Sequence, residues 1–153
     1  MGNGEPGISR FAGDVLDRPG VRDVVVLIGI NDLKGLGQPG AADVLAGYRR
    51  LVSAAHARGI RVTGGTLAPD FGHGAYNVAG ERTRQEVNAA IRAGGVFDAV
   101  AEIDGALRDP ADPKRLRPDL DSGDHLHPND AGYAAMGAVV RGVLAESWRA
   151  DPS

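Results

Sequence analysis

The arrangement of apolar residues along the chain alternates between runs typical of buried strands and stripes typical of helices. Residues 24–28 form a continuous β-branched and apolar run that is closed by Gly29. A run without polar alternation is typical of a strand that is buried on both faces, as in a parallel sheet. Residues 60–67 and 99–103 predict a second and a third strand.

Four helical stripes surround these strands. The first helix ends at Pro19-Gly20 and the second at Gly59. The third covers residues 79–93, and the last begins near Pro128, where proline suits the first helical turn. The residues predicted to face inward are Ile8, Phe11, Val15 and Leu16; Val44, Leu45, Tyr48, Leu51, Val52 and Ala55; Val87 and Ile91; and Tyr133, Met136, Val140, Val143 and Leu144.

The order of elements is one helix followed by three strand–helix units, which favours an α/β fold with a parallel sheet and helices on both faces. With 153 residues and no internal repeat or linker, residues 1–153 are expected to form one domain. The first strand has no strand before it in the sequence. Residues 104–123 are a long connection rich in Asp, Arg and Pro, and connections of that length usually carry function or are disordered.

Composition narrows the classes of function. The net charge is -3 and the basic residues are scattered, which disfavours nucleic acid and anionic membranes as partners. No apolar run approaches the roughly 18 residues of a membrane span. The chain has no cysteine, which excludes disulfides and a thiolate nucleophile but leaves the cellular compartment open. The polar N-terminus has no signal-peptide pattern, and localisation stays undetermined.

The segment of residues 121–130 concentrates three carboxylates and two imidazoles just before the last helix. Asp124 and His127 are three residues apart, a spacing that lets one loop present a carboxylate and a general-base histidine together. Two other interpretations stay open: the pair caps the last helix, or the cluster of Asp121, Asp124, His125, His127 and Asp130 holds a divalent metal. No ligand spacing here matches a known metal site. His125 is interpreted as a solvent-exposed neighbour.

A second polar segment, Gly29-Ile30-Asn31-Asp32, follows the first buried strand directly. Ligands of open α/β sheets bind at the carboxyl ends of the strands. Asn31 would donate there to an oxyanion, while His127 moves a proton and Asp124 orients the imidazole. The alternative is that Asn31 and Asp32 only form a turn or cap a helix. Among the other histidines, His56 is predicted to be structural, and His73 could line a cleft.

These two segments resemble conserved blocks of the SGNH/GDSL hydrolase superfamily, Gly-x-Asn-Asp and Asp-x-x-His. The resemblance extends over residues 8–144, and the wider segments also resemble the bacterial esterase members of the superfamily. It implies a flavodoxin-like three-layer α/β sandwich and hydrolysis of carboxylic esters without a metal or cofactor. It also implies that Gly29 and Asn31 contribute to the oxyanion hole, that His127 is the base and that Asp124 is the third member of the triad.

One conserved sequence block of that superfamily is missing from this chain. Members open with Gly-Asp-Ser on their first strand, and that serine is the nucleophile; none of Ser9, Ser53, Ser122, Ser147 and Ser153 follows a predicted strand. Gly2-Asn3-Gly4 is too short to identify as the end of the second block. The chain is therefore expected to be a truncated or degenerate esterase of about three strands, with an unidentified nucleophile and little activity alone. The alternatives are a non-catalytic α/β binding module, or a fragment completed by a partner chain.

The missing strands also bear on partners. An apolar strand without a neighbour is a template for association, so a homo-oligomer through the exposed sheet edge is expected. The resemblance implies a small ester as substrate, with acetylated sugars as one candidate.

Overall fold

The structure, a computed structural model, describes residues 5–34 and 37–150. Strands β1 (Asp23–Val26), β2 (Arg61–Gly65) and β3 (Ala99–Ala101) form one sheet in the order β1-β2-β3. Both strand pairings are parallel. The predicted α/β class with a three-stranded parallel sheet is confirmed.

Helical segments precede, connect and follow the strands. In chain order they are α1 (Gly7–Phe11), a π-helical turn (Ala12–Leu16), a 3-10 helix (Ile30–Leu33), α2 (Ala41–His56), α3 (Val78–Ala93), α4 (Ile103–Leu107) and α5 (Asp130–Ala150). The first predicted helix is thus divided into a short α-helix and a π-helical turn. Within it, Phe11 is buried whereas Ile8 is 42% exposed.

Two apolar clusters flank the sheet. One contains residues of β1 and β2 together with the inner faces of α2 and α3, and the other packs under α4 and α5. Val100 belongs to the first cluster and the next residue, Ala101, to the second. Because successive side chains of a strand point to opposite faces, the clusters lie on opposite sides of the sheet. The fold therefore has three layers.

The strands are shorter than the apolar pattern predicts. The run of residues 24–28 leaves the sheet after Val26, and Leu27 and Ile28 are 37% and 42% exposed. The predicted third strand, 99–103, ends at Ala101 because Glu102 caps α4 by accepting the Gly105 N–H. The connection after β3 thus begins with a helix that the pattern did not predict. Two isolated antiparallel β-bridges, Arg108–Leu116 and Asp121–Pro128, hold the remainder of this connection and the loop before α5.

Helix α5 begins at Asp130, two residues after the predicted start. Met136, Val140 and Val143 pack against the second cluster as predicted. The prediction for Tyr133 was wrong: it is 53% exposed, because the residues of α5 that pack on this cluster begin only at Ala135. Within residues 5–34 and 37–150, no helix has the length and apolar character needed to cross a membrane.

The outer edge of β1 carries no neighbouring strand among the described residues. The Arg22 carbonyl accepts from the Arg61 N–H on the β2 side at 2.8 Å. The backbone N–H and C=O groups of successive residues in a strand point to alternate sides. Those of Val25 and Leu27 therefore point away from β2. The side chains of these two residues are each 37% exposed. Helix α1 and the π-helical turn lie beside this edge across a cavity of about 300 Å³.

A buried network of charges joins α3 to α4. Asp104, which is 2% exposed, accepts hydrogen bonds from Arg84 (2.7 Å), Arg92 (2.5 Å) and Arg108 (3.1 Å). Arg84 is itself 3% exposed and also binds Glu81 through two nitrogens. Arg84 and Asp104, two of the buried charges in this network, therefore each have oppositely charged partners, as buried charges require.

Glu102, beside this network, gives the stability a specific pH dependence. Hydrogen bonds from Arg92, reinforced by those from Gly105 and Thr66, lower the pKa of Glu102 from 4.5 to about 2 against the effect of burial. A carboxyl whose pKa is lower in the folded state stabilises the fold above its unfolded pKa, and this contribution disappears as the pH falls through the folded pKa.

Glu102→Gln should therefore lower the free energy of unfolding at pH 7, and the deficit should shrink as the pH falls from about 4.5 towards 2. Urea titrations at several pH values measure this difference. Glu86→Gln is the control, because it removes a carboxylate from an exposed pair with Arg82. A deficit in Glu102→Gln that does not change between pH 5 and pH 2 would contradict the assignment.

Candidate active site

The Gly29-Ile30-Asn31-Asp32 segment lies directly after β1, at its carboxyl end. Gly29 has a φ of 122°, and a Cβ at this position would lie 2.7 Å from the Tyr48 hydroxyl oxygen. That hydroxyl donates to the Ile28 carbonyl at 2.6 Å, and burial raises the pKa of Tyr48, which keeps the donor protonated. Glycine is therefore required by both the backbone angle and the close contact. The turn presents Asn31 at the surface of the sheet edge.

The 3-10 helix that carries Asn31 is anchored to α3. Leu33 is 3% exposed, and its carbonyl accepts from the Asn77 side-chain amide at 3.2 Å. Asn77 also caps α3 by accepting the Gly80 N–H at 2.7 Å. A Cβ on Gly80 would come within 2.2 Å of the Leu33 carbonyl oxygen. The turn and the start of α3 are thus held in contact, which fixes the backbone below Asn31.

The Asn31 side chain has one partner within the described chain. Its Oδ1 accepts a hydrogen bond from Lys34 Nζ at 3.0 Å. Burial lowers the pKa of Lys34, and the negative charges of Asp70 and Asp124 oppose that shift. Asp70 lies in the loop after β2, is 6% exposed and has its own pKa raised by burial. Lys34 is thus within electrostatic reach of the loops that follow all three strands.

Asp124 organises the loop before α5. Its Oδ1 accepts the N–H groups of Leu126 (2.9 Å) and His127 (2.8 Å) and the Ser122 hydroxyl (3.1 Å). Its Oδ2 contacts His127 Nδ1 at 2.5 Å. The hydrogen bond from the His127 ring and those from the two backbone N–H groups hold the pKa of Asp124 far below its usual range. This carboxylate therefore stays ionised at neutral pH.

His127 is oriented by that carboxylate. With Asp124 accepting from Nδ1, the neutral ring carries its proton on Nδ1 and keeps a lone pair on Nε2. The side chain is 60% exposed, and Nε2 has no hydrogen-bond partner among the described residues. Such a ring can take a proton from an incoming hydroxyl group. Asp124 and His127 therefore have the mutual geometry that the sequence predicted for them.

His125 is exposed as predicted, and it also has partners in the fold. Its side chain is half exposed, but its Nδ1 contacts Asp121 Oδ2 at 2.6 Å and its ring faces Gly72 closely. It also has a φ of 63°, the only positive φ of a non-glycine residue in the described chain. Burial alone would raise the pKa of Asp121, but hydrogen bonds from Gly123 and His125 outweigh it and lower that pKa. The Asp121–His125 pair thus connects the loop before α5 to the loop after β2.

The remaining histidines have local partners. His56 forms an ion pair with Asp98 at 2.9 Å, far from the carboxyl ends of the strands, and Asp98 also accepts the Val62 N–H of β2. His73 lies in the loop after β2, where its Nδ1 accepts the Ala75 N–H at 3.2 Å. Among the described residues, no group of three or more His, Asp or Glu side chains is arranged to hold a metal ion.

Comparison with known proteins identifies the family. A family model described as the GDSL-like lipase/acylhydrolase family matches residues 3–135. The chain belongs to this family. Its relation to the other GDSL-like proteins is distant in sequence, and no curated protein gives a match.

Solved structures of GDSL-like and other esterases share the fold. A GDSL-like lipase from Bacteroides thetaiotaomicron superposes with a TM-score of 0.74 at 21% identity, covering 92% of this chain and 69% of that chain. The native aryl esterase of M. smegmatis gives 0.69 at 17% identity, covering 94% and 67%. A carbohydrate esterase family 3 protein from Talaromyces cellulolyticus gives 0.64 at 19%, again covering 94% and 67%. This chain therefore spans about two thirds of the length of these GDSL-fold proteins.

The described serines of this GDSL-like chain lie in helices or in the loop before α5. Ser9, Ser53 and Ser147 are within α1, α2 and α5, and Ser122 donates its hydroxyl to Asp124. No described serine follows a strand. Ser153 and the Gly2-Asn3-Gly4 segment lie outside the described residues.

Two residues near this site were not singled out by the sequence. Lys34 and Asp70 lie in the loops after β1 and β2, and only the folded chain brings their charges together. One local feature of the sequence indicates that Lys34 is close to Asn31. The two residues are three positions apart, and a 3-10 helix has three residues per turn.

Proposed function

We propose that this chain supplies the base, the orienting carboxylate and the oxyanion donors of a serine-type carboxylic ester hydrolase. His127 removes the proton of a serine hydroxyl as its oxygen attacks the ester carbonyl. The Asn31 amide and the Gly29 N–H donate to the developing oxyanion. His127 then passes the proton to the leaving alcohol, and water releases the acid in a second cycle. The observation that carries the proposal is the Asp124–His127 contact, which leaves Nε2 free.

We further propose that the nucleophilic serine comes from outside the described residues. The 153-residue chain then acts as a truncated or degenerate esterase. An oxyanion hole and substrate binding alone still accelerate hydrolysis by about 10³–10⁴ over water in serine hydrolases that lack a triad member. We therefore expect slow turnover of activated esters by this chain alone. The substrate class is a small ester; acetylated sugars are one candidate, by analogy with the carbohydrate esterase of similar fold.

Hydrolysis of p-nitrophenyl acetate tests the role of His127. His127→Ala should reduce the slow rate by about 10²-fold, because without a serine the imidazole acts as general base on a water molecule that attacks the ester, and general-base catalysis contributes about that much. His125→Ala is the matched control: it removes the same residue type, also paired with an aspartate, from the same loop. Circular dichroism establishes that both variants fold. Equal rates in both variants would reject His127 as the base.

The second candidate function is a non-catalytic α/β binding module or a fragment completed by a partner chain. The observation that favours it is the position of the described serines, three of which lie within helices. Unchanged binding of an ester analogue by His127→Ala, together with no hydrolysis by the unmodified chain, would favour the module over the enzyme.

The unpaired edge of β1 supports a proposal about assembly. An apolar strand edge pairs readily with another chain, so we expect this chain to form a homodimer through β1 at micromolar concentration. Val25→Lys should shift it towards monomer in light scattering, because a charge at the edge opposes pairing. Val78→Lys, at a position 78% exposed on α3, is the control. A monomer for the unmodified chain would contradict this expectation.

A further inference from the structure

The Asn31 carboxamide has a defined orientation in this structure. An asparagine amide presents an acceptor on one branch and a donor on the other, and the two are similar in shape. The atom facing Lys34 Nζ at 3.0 Å is Oδ1. An ammonium group has three donors and no acceptor, so it can pair with Oδ1 and never with Nδ2. The lysine therefore selects one of the two flipped states and turns the NH₂ group away from itself.

The local backbone brings these two side chains together. In a 3-10 helix the side chains at positions i and i+3 are eclipsed, and Lys34 is the residue that ends the 3-10 helix carrying Asn31. Leu33 between them is buried and held through its carbonyl by Asn77. The backbone of the turn thus brings the Lys34 side chain within reach of Asn31.

The charges around Lys34 keep it in place. Asp70 in the loop after β2 and Asp124 in the loop before α5 both attract its ammonium group. Asp70 is almost fully buried and belongs to a different loop from Asn31. The ammonium is therefore attracted by carboxylates of two loops other than its own, in addition to its hydrogen bond to Asn31.

We propose that Lys34 is a positioning residue, which holds the Asn31 amide in one of its two flipped states and so leaves its NH₂ group available to donate to an ester carbonyl. The catalytic meaning of this orientation rests on the proposed function, but the orientation itself does not. Removing an oxyanion donor outright costs about 10²–10³ in kcat. Releasing the amide to flip costs less, and about a tenfold loss of kcat with little change in KM is expected.

The side-chain amide resonances of Asn31 report this role directly. In ¹⁵N-labelled full-length chain, assigned through Asn31→Ala, the ¹H–¹⁵N heteronuclear NOE of the Asn31 NH₂ group should be high. It should fall in Lys34→Met and recover in Lys34→Arg, which restores a donor without an acceptor. The only other lysine of the chain is Lys114, so Lys114→Met is the matched control. The Asn88 amide, bonded to the Leu67 backbone, serves as an internal standard for folding.

An Asn31 amide that stays equally ordered in Lys34→Met, with the Asn88 resonance unchanged, would overturn the proposal. An amide that loses order while hydrolysis is equal in all variants, His127→Ala included, would support Lys34 as the positioning residue and reject the esterase function. An amide that loses order together with a tenfold lower kcat, restored in Lys34→Arg, would support both. The NOE and the rate thus separate the failure of one proposal from the failure of the other.

Discussion

A fluorophosphonate probe is expected to leave every serine of this chain unlabelled under conditions that label a serine esterase to completion. The probe reacts with a serine oxygen that an adjacent base activates. Three described serines lie in helices, and the hydroxyl of Ser122 is directed to Asp124. Loss of the nucleophile costs a serine hydrolase about 10⁶-fold in kcat. Intact mass spectrometry of the treated chain measures the labelling.

Heat-denatured chain and an active serine esterase are the two controls for this experiment, since they give the background and the full signal. Stoichiometric labelling of one serine would contradict the expectation, and peptide mapping would then name the nucleophile. Labelling that appears only when a second polypeptide is added would support a fragment completed by a partner chain. In that case His127→Ala should abolish it and His125→Ala should not.

Asp104→Asn should lower the free energy of unfolding by about 3–5 kcal/mol, the cost of breaking a buried ion pair from one side. Asp104 is 2% exposed and accepts from Arg84, Arg92 and Arg108. An asparagine of the same shape has no charge, and its NH₂ group can accept from none of these arginines. Arg84, itself 3% exposed, would lose the carboxylate of Asp104 and keep only that of Glu81. Guanidinium chloride unfolding gives the difference.

Asp119→Asn is the matched control for that substitution. Asp119 pairs with Arg117 at 2.6 Å, but both side chains are exposed, and exposed pairs contribute little to stability. Similar losses in the two variants would contradict a special role of the buried network. Because the replacement of a whole buried ionic group by packed apolar residues is often neutral, the large loss is expected only when the carboxylate alone is removed.

The sequence predicted the elements of the fold better than their ends. The buried run after residue 23 predicts β1, but the composition of Leu27 and Ile28 does not reveal that the backbone leaves the sheet at Val26. That exit depends on the Tyr48 hydroxyl, twenty residues away, which bonds the Ile28 carbonyl. Helix α4 has five residues, too few for a periodic pattern, and it depends on a cap from Glu102 and on the arginines around Asp104.

The candidate site shows the same division between local and long-range information. The Asp124–His127 contact is local, and its spacing of three residues predicted it. The long-range neighbours of Lys34 and His125 are not predictable in this way, because Asp70 and Gly72 lie in a loop more than 30 residues from Lys34 and more than 50 from His125. The roles of Gly29 and Asn31 as oxyanion donors stay a prediction that the experiments above address.

The strand order has a consequence for how substrate range could change in this fold. Asn31 follows the first strand and His127 lies beyond the third, so the loop after β2 stands between the two halves. Neighbouring strands are about 4.8 Å apart, so the sheet sets a separation of roughly 10 Å between the ends of β1 and β3. Residues 69–77, which follow β2, start between these two ends. Surface loops accept insertions more readily than strands do, so lengthening this loop is the route by which substrate range can change while both halves of the site stay in register.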